Sequence, residues 1–407
     1  MRLHPPGSLL GRGVSLESEL RIGKSNSGWI ALLLVASVMA CVAQTPLASK
    51  EVQARGFPYQ QGWLGADGAY SIPTGTGSTL WLFADTFVGP ETATTRKQST
   101  AFLHNTIAFS RCDAGRCRLD YDWPGKGTDK PHAVFTAPGN DWFWPMDGFV
   151  YNGTLYVALM QMHSSGSGAF GFAYSGSQLA SVRNFMDPPA QWEIHYQKLN
   201  TGSKAVPGVS IIVNQGPNDN PDPPNPEGAK YAYFITAAGD DPDLALLRIP
   251  LSELDHLERP GDAHWEYLKT SRTWAPWESS STKLPGDRAI LLNPGASEMT
   301  VRYHSSTQQW IAVYPHGLGQ RAYYSLSSSL TGGWGPQEDL FVYPEMREGS
   351  PNHTPNLFCY AVKEHPEVEA AGQLVFTYAC NSSVERDIID DRSLYHPIMV
   401  REPLPSH

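Results

Sequence analysis

Asp67 and Asp85 are the residues whose type and spacing most directly suggest chemistry. They bracket residues 65–86, GADGAYSIPTGTGSTLWLFADT, which read as a β-hairpin: a first strand over 66–72, turn formers over 73–78 and an alternating second strand over 79–85. The two acids are equidistant from Thr76, so a hairpin without a bulge sets them directly opposite one another. Cross-strand neighbours have Cβ atoms about 4.5–5.5 Å apart, and like charges there are destabilising. Paired carboxyls at that range suit glycoside hydrolysis. One stays protonated and delivers a proton to the leaving oxygen, while the other is ionised and attacks or activates water. Proximity itself splits the two titrations. Directly opposite placement favours a separation nearer the roughly 5–5.5 Å of retaining enzymes than the 6.5–9.5 Å of inverting ones.

The strands that must hold this hairpin recur along the chain. Short β runs of similar character begin at Leu80, Leu155, Tyr231, Trp310 and Leu374, at spacings of 75, 76, 79 and 64 residues. Each is preceded by another β run and a turn, and most are followed by two more, one of them carrying Trp or Tyr. Five such units predict an all-β fold, a five-bladed β-propeller over residues 57–403. A two-sheet β-sandwich explains the strands but not their recurrence. The last run, 395–400, is expected to close the ring with the N-terminal edge. One helical turn is expected at 251–254, and the Pro/Asn-rich stretch 214–228 reads as a surface loop.

In a propeller, the start of each unit's first strand and the end of its second lie at the ligand-binding mouth. Laying WPMDGFVYNGTLYVALMQ over ADGAYSI and STLWLFAD matches Asp147 to Asp67 and Met160 to Asp85, so the first unit alone keeps the acid pair. Glu298 heads the first strand of the fourth unit. His104 and Asn105 open the third strand of the first unit, beside Asp85. With Trp144, these are the expected substrate contacts. For Asp147 and Glu298 a turn-capping or solvated role is an equal reading. There is no Gly-rich phosphate loop, no zinc spacing of His and Cys and no Gly-x-Ser-x-Gly elbow. No loop has a calcium pattern except 218–222, which is Pro-rich. The expectation is no cofactor and no metal. His365-Pro366-Glu367 sits in the turn of the last hairpin and reads as structural.

A net charge of −10 argues against nucleic acid as a partner, because that surface needs to be basic. The aromatic content suits stacking on sugar rings. Residues 29–40, WIALLLVASVMA, form an apolar run too short for a comfortable membrane span. Preceded by Arg21 and Lys24 and ending at Cys41, the run reads as an export signal over 1–40 of the bacterial lipoprotein type. Cys41 is then lipidated and anchors the protein to a membrane of the cell envelope, with 41–56 as a tether; ordinary signal cleavage within 41–44 is the alternative. The stretch before Trp29 is long for such a signal, so the true start is expected downstream of Met1. Of five cysteines, Cys112 and Cys117 flank one turn and Cys359 and Cys380 another, which predicts two local disulfides in an exported protein.

The segments GADGAYSIP with TLWLFADTFVG, HNTIAF, WFWPMDGFVYNGTLYV, ALLRIPL followed by WEYL, EMTVRY and HPEVEAAGQLVFTYACNS resemble a bacterial family first catalogued as a domain of unknown function. Its members are recognised as endo-D-arabinanases with a five-bladed propeller fold. The likeness runs over nearly the whole mature chain and is most specific in GADGAYS and LWLFADT. It implies Asp67 and Asp85 as the catalytic aspartates and α-D-arabinofuranosyl linkages in arabinan-type polysaccharides as the substrate. Another furanose polymer is the nearest alternative. A non-catalytic glycan-binding propeller and an assembly lipoprotein are the rivals from other classes. The Pro-rich stretch and the lipobox match nothing in the family core.

Overall fold

The computed structural model describes residues 56–406, apart from 114–115, 169, 200–204, 214–229, 239–242, 257–263, 278–283 and 351–352. The export signal, Cys41 and the Pro-rich stretch lie outside the described residues, as do the side chains of Cys112 and Cys117.

The fold is all-β. The first seven strands, β1 (Trp63–Ala66), β2 (Tyr70–Pro73), β3 (Ser78–Phe83), β4 (Thr86–Val88), β5 (Ala101–Leu103), β6 (Thr106–Asp113) and β7 (Arg116–Asp122), form two sheets ordered β1-β4-β5 and β2-β3-β6-β7. Next come three antiparallel sheets in simple chain order. They are β8 (Trp142–Tyr151) to β11 (Ile194–Leu199) through β9 (Thr154–Ser164) and β10 (Phe172–Val182), and then β12 (Ala205–Val213), β13 (Tyr231–Ala238), β14 (Asp243–Pro250), β15 (Glu266–Leu268) and β16 (Trp274–Pro276). The third is β17 (Thr300–His304), β18 (Gln309–Pro315), β19 (Arg321–Ser327) and β20 (Glu338–Val342). A last sheet holds β21 (Leu357–Glu364), β22 (Gln373–Ser382) and β23 (Ile398–Pro403). The α-helix found among the described residues is the short α1 (Glu385–Asp390), and the turn expected near 251 is the 3-10 helix Leu251–His256.

The five recurring runs of the sequence are the second strands β3, β9, β13, β18 and β22 of five different sheets. They are buried over most of their length; all six residues of β3 are buried, for example. A continuous apolar run of this length is what a strand covered on both faces requires. The first strands of the same sheets neighbour one another in turn, β2 beside β8, β8 beside β12, β12 beside β17 and β17 beside β21. From β21 the contact returns to β2 through His365 and Glu367, which meet Ser71 Oγ at 2.8 and 2.7 Å. Those two residues are structural, as their turn position suggested. His365 is fully buried, with its other nitrogen on Thr377 Oγ1, and burial followed by the nearby cations Arg302 and Lys363 holds its pKa well below the ordinary value.

One expectation is corrected and one is sharpened. The first strand of the opening hairpin is not continuous over 66–72: it breaks at Asp67–Ala69, and β1 and β2 belong to different sheets. The C-terminal run meets the N-terminal edge by packing and not by strand pairing: β23 adds to β22 and β1 pairs with β4, while His396 meets the Tyr59 ring edge-on at 6.1 Å. A buried cation strengthens this contact. Arg96, 2% exposed, donates to the carbonyls of Leu64, Ile388, Asp391, Leu394 and Tyr395 and to the Tyr59 hydroxyl. Gly65 gives it room: it has φ +116°, and a Cβ there would meet Tyr395 O at 2.5 Å and the guanidinium at 2.8 Å. Cys359 and Cys380 are an opposed pair joined by a disulfide, and the β6–β7 backbone register sets Cys112 opposite Cys117.

Asp391 O and Leu394 O have second, longer contacts to Leu394 N and His396 Nδ1, but Arg96→Met strips the guanidinium from all five carbonyls, and each buried group left unpaired costs roughly 1–3 kcal/mol. The expected outcome is a loss of about 3 kcal/mol or more in chemical denaturation, with Arg96→Lys recovering only part. Wild-type stability of the methionine variant would refute this role.

Candidate active site

The hairpin's register from Tyr70↔Leu82 to Pro73↔Thr79 extrapolates to Asp67 opposite Asp85, and the backbone confirms the neighbourhood. Asp67 N–H donates to Asp85 O at 3.3 Å, while Asp67 O accepts from Ala84 N at 3.0 Å. Two residues of the returning strand therefore face one of the outgoing strand, which is a bulge. Bulges re-aim side chains and are common beside active sites. Gly68 permits it: its φ is +67°, and a Cβ there would press on Ala84 N at 3.3 Å. Both aspartates thus sit where the chain leaves the β2-β3 sheet for the β1-β4 sheet, with neither side chain committed to a regular face.

Their surroundings differ. Asp67 Oδ2 accepts from the Tyr360 hydroxyl, which Asn381 Nδ2 supports at 3.2 Å, while Asp67 Oδ1 is buried with no hydrogen-bond partner. Burial, then the charges of Asp85 and Glu298, push the Asp67 carboxyl well above the ordinary aspartate value, against the smaller opposing pull of Tyr360 and Lys363. Asp85 Oδ1 meets His104 Nδ1 at 2.8 Å and accepts from Trp144 Nε1 at 2.9 Å. One carboxyl is therefore biased towards its neutral form, and its neighbour is pinned by two ring nitrogens.

Of the residues expected around the pair, the structure brings in His104, Trp144 and Glu298. Glu298 lies 3.5 Å from Lys363 Nζ, and Lys363, fully buried, also sits 4.5 Å from the centre of the Tyr70 ring. Asn105 and Asp147 are both fully buried and are not available to a substrate. Asn105 is spent on backbone: its amide donates to Phe135 O and Phe143 O, and its oxygen accepts from Phe135 N. Asp147, expected at the start of a first strand, lies instead in a bulge in the middle of β8, and its Oδ2 accepts from Ile211 N at 2.7 Å and Arg302 at 2.9 Å. It joins three first strands to one another. Met160, at the place matched to Asp85, is opposite Trp144 in the register and buried.

The sequence reading missed Tyr360 and Lys363. Three apart on a regular strand, they would point to opposite faces. In β21 one extra residue is inserted between them, with Ala361 at φ +57°, so both turn to the same side. The available signal was a lysine inside an apolar run, since a fully buried lysine is rare without a partner. Also missed was an arc of aromatic rings joining the two acids. His104 stacks on Trp142 at 4.5 Å, Trp142 contacts Trp144, and Trp144 meets Phe172 edge-on at 4.8 Å. Phe170, two residues before Phe172, packs on Phe358 at 5.5 Å, and Phe358 on Tyr360 at 5.6 Å. Phe170 is exposed, and Trp142, Trp144 and Phe172 are half-buried.

Comparison with known proteins fits this frame. A single family model, described as a domain of unknown function, DUF5005, matches residues 55–401. The chain belongs to the DUF5005 family. No curated protein matches it. Among solved structures, a Bacteroides ovatus protein provisionally named a hydrolase superposes with a TM-score of 0.63 at 16% identity, covering 84% of this chain and 86% of that one. A GH43_1 enzyme from Xanthomonas citri complexed with xylotriose matches with a TM-score of 0.42 at 11% identity over 86% and 91% of the two chains. An endo-arabinase from Bacteroides thetaiotaomicron matches with 0.40 at 12% over 84% and 95%. This DUF5005 chain thus shares its fold with the Bacteroides ovatus protein.

A raised carboxyl has a signature in stability. Asp67 binds a proton more tightly folded than unfolded, so its contribution is complete below the ordinary value of 3.8. It is lost progressively as pH rises from there through the folded value. Asp67→Asn removes that dependence. The variant is expected to match wild type in acid and to gain in Tm relative to it as pH rises; a constant difference across the range would contradict the raised value.

Proposed function

We propose that this protein is a glycoside hydrolase of endo-D-arabinanase type, acting on α-D-arabinofuranosyl linkages. Asp67 serves as the proton donor to the leaving oxygen, and Asp85 as the carboxylate that attacks the sugar or activates water. The observation that carries the reading is the asymmetric carboxyl pair: a half-buried Asp67, with one oxygen buried and its pKa raised, beside an Asp85 fixed by His104 and Trp144. Neutral donor and fixed carboxylate are the two states that glycoside cleavage needs at the same moment. Half-buried Trp142, Trp144 and Phe172 offer ring faces for stacking on furanose units, and Glu298 offers a further oxygen to hydroxyl groups. The family resemblance supplies the sugar; the geometry bears on the reaction class. The shared fold of a Bacteroides protein provisionally named a hydrolase is in keeping with it.

In this reading the five sheets led by β2, β8, β12, β17 and β21 are the blades of a five-bladed propeller over 57–403, with β1-β4-β5 an accessory sheet beside the first. Residues 1–40 are an export signal, and lipidation at Cys41 holds the domain at the cell envelope facing its polysaccharide.

The test is product chromatography on a panel of furanose polysaccharides that includes D-arabinan. Oligosaccharides are expected from D-arabinan, with Asp67→Asn and Asp85→Asn each lowering turnover at least a thousandfold while keeping the fold. Near-normal turnover by either variant removes the assignment. Saccharide binding without any product favours a glycan-binding module built on the aromatic arc.

A further inference from the structure

Lys363 and Glu364 are consecutive on β21 and therefore face opposite sides of the strand. Lys363 serves the carboxyl pair. Glu364 turns to β17 and meets a different group, which nothing in the proposed reaction uses. Its Oε1 lies 2.6 Å from His304 Nε2, and its main-chain N–H is held by Thr300 Oγ1 at 2.9 Å. Its Oε2 is buried with no hydrogen-bond partner, on a residue 1% exposed. Glu369, from the turn after β21, completes the group and accepts from Val375 N at 3.2 Å. One atom each from His304, Glu364 and Glu369 lies within 4.8 Å of the others. Two carboxylates and an imidazole converge there. Arg302, two residues before His304 on the same strand, is committed to Asp147 and Ser210. Glu369 is half-buried, so the cluster has a route to solvent.

We propose that His304, Glu364 and Glu369 bind one divalent transition-metal ion, with zinc the best match to the donor set. Donors about 2.0–2.2 Å from a common tetrahedral ion are about 3.3–3.6 Å apart, so the widest-set atoms must close by about an ångström, within the reach of a side-chain rotation. One nitrogen and two carboxylates is a zinc-type ligand set, whereas calcium takes six to eight oxygens. A divalent charge offsets both carboxylates and gives Glu364 Oε2, which no donor reaches, a cation to coordinate. The site joins β17 to the turn after β21, so the ion is a clamp between neighbouring sheets and takes no part in the hydrolysis proposed above.

The test uses the full-length protein stripped with chelator and titrated with zinc chloride, read by calorimetry and by thermal unfolding. The expected result is one equivalent bound at micromolar or tighter Kd, with Tm raised by several degrees. Glu369→Gln, at a half-buried position, is expected to weaken zinc at least tenfold, and His304→Gln likewise. Absence of binding, or equal binding and equal Tm gain in wild type and both variants, overturns the proposal. The readout is independent of any glycan, so its failure leaves the catalytic reading standing.

Discussion

The structure turns on the break at Asp67–Ala69 and the bulge at Ala84–Asp85 that faces it. An uninterrupted hairpin would place both aspartates on a regular pleat as cross-strand like charges. The break instead sends β1 and β2 into different sheets and leaves both carboxyls at a junction, one sunk beneath Tyr360 and the other held by His104 and Trp144. The asymmetry between them follows from that geometry. The buried, unpartnered oxygen falls on Asp67, and both nitrogen contacts fall on Asp85.

The same device recurs around the molecule with different content. The first strands β8, β12 and β21 each carry extra residues near their middle, at 145–148, 207–210 and 360–363. In β8 the bulge holds Asp147, which ties Ile211 and Arg302 and so welds neighbouring strands. In β21 it brings Tyr360 and Lys363 onto one side and makes them part of the acid site. The breaks give each first strand a residue free of the pleat, and its identity decides whether it builds structure or chemistry. The contacts that join remote parts of the chain, Arg96 to the C-terminal carbonyls and Ser71 to His365 and Glu367, are polar and largely buried, where a missing partner is costly.

Much of this was legible in the sequence. The five recurring apolar runs are second strands because a strand covered on both faces must be apolar throughout, and that pattern survives any detail of register. The acid pair was legible because residue counting across a tight turn fixes which positions meet. What failed were inferences that needed the side-chain direction at a bulge. Asp147 was matched to Asp67 but lies in mid-strand and is buried, and Asn105 sits beside the right residue while serving backbone carbonyls. Tyr360 and Lys363 were hidden because a period of two separates residues that an inserted Ala361 reunites. Arg96 was hidden because nothing local distinguishes a buried arginine that caps remote carbonyls from a surface one.

The central claim is that Asp67 holds its proton well above the ordinary aspartate range. Infrared difference spectroscopy of wild type against Asp67→Asn, at pH 5.5 where an ordinary aspartate is ionised, addresses it directly. A protonated-carboxyl C=O band present in wild type and absent from the variant is the predicted result. A difference spectrum showing only the loss of an ionised carboxylate would contradict it.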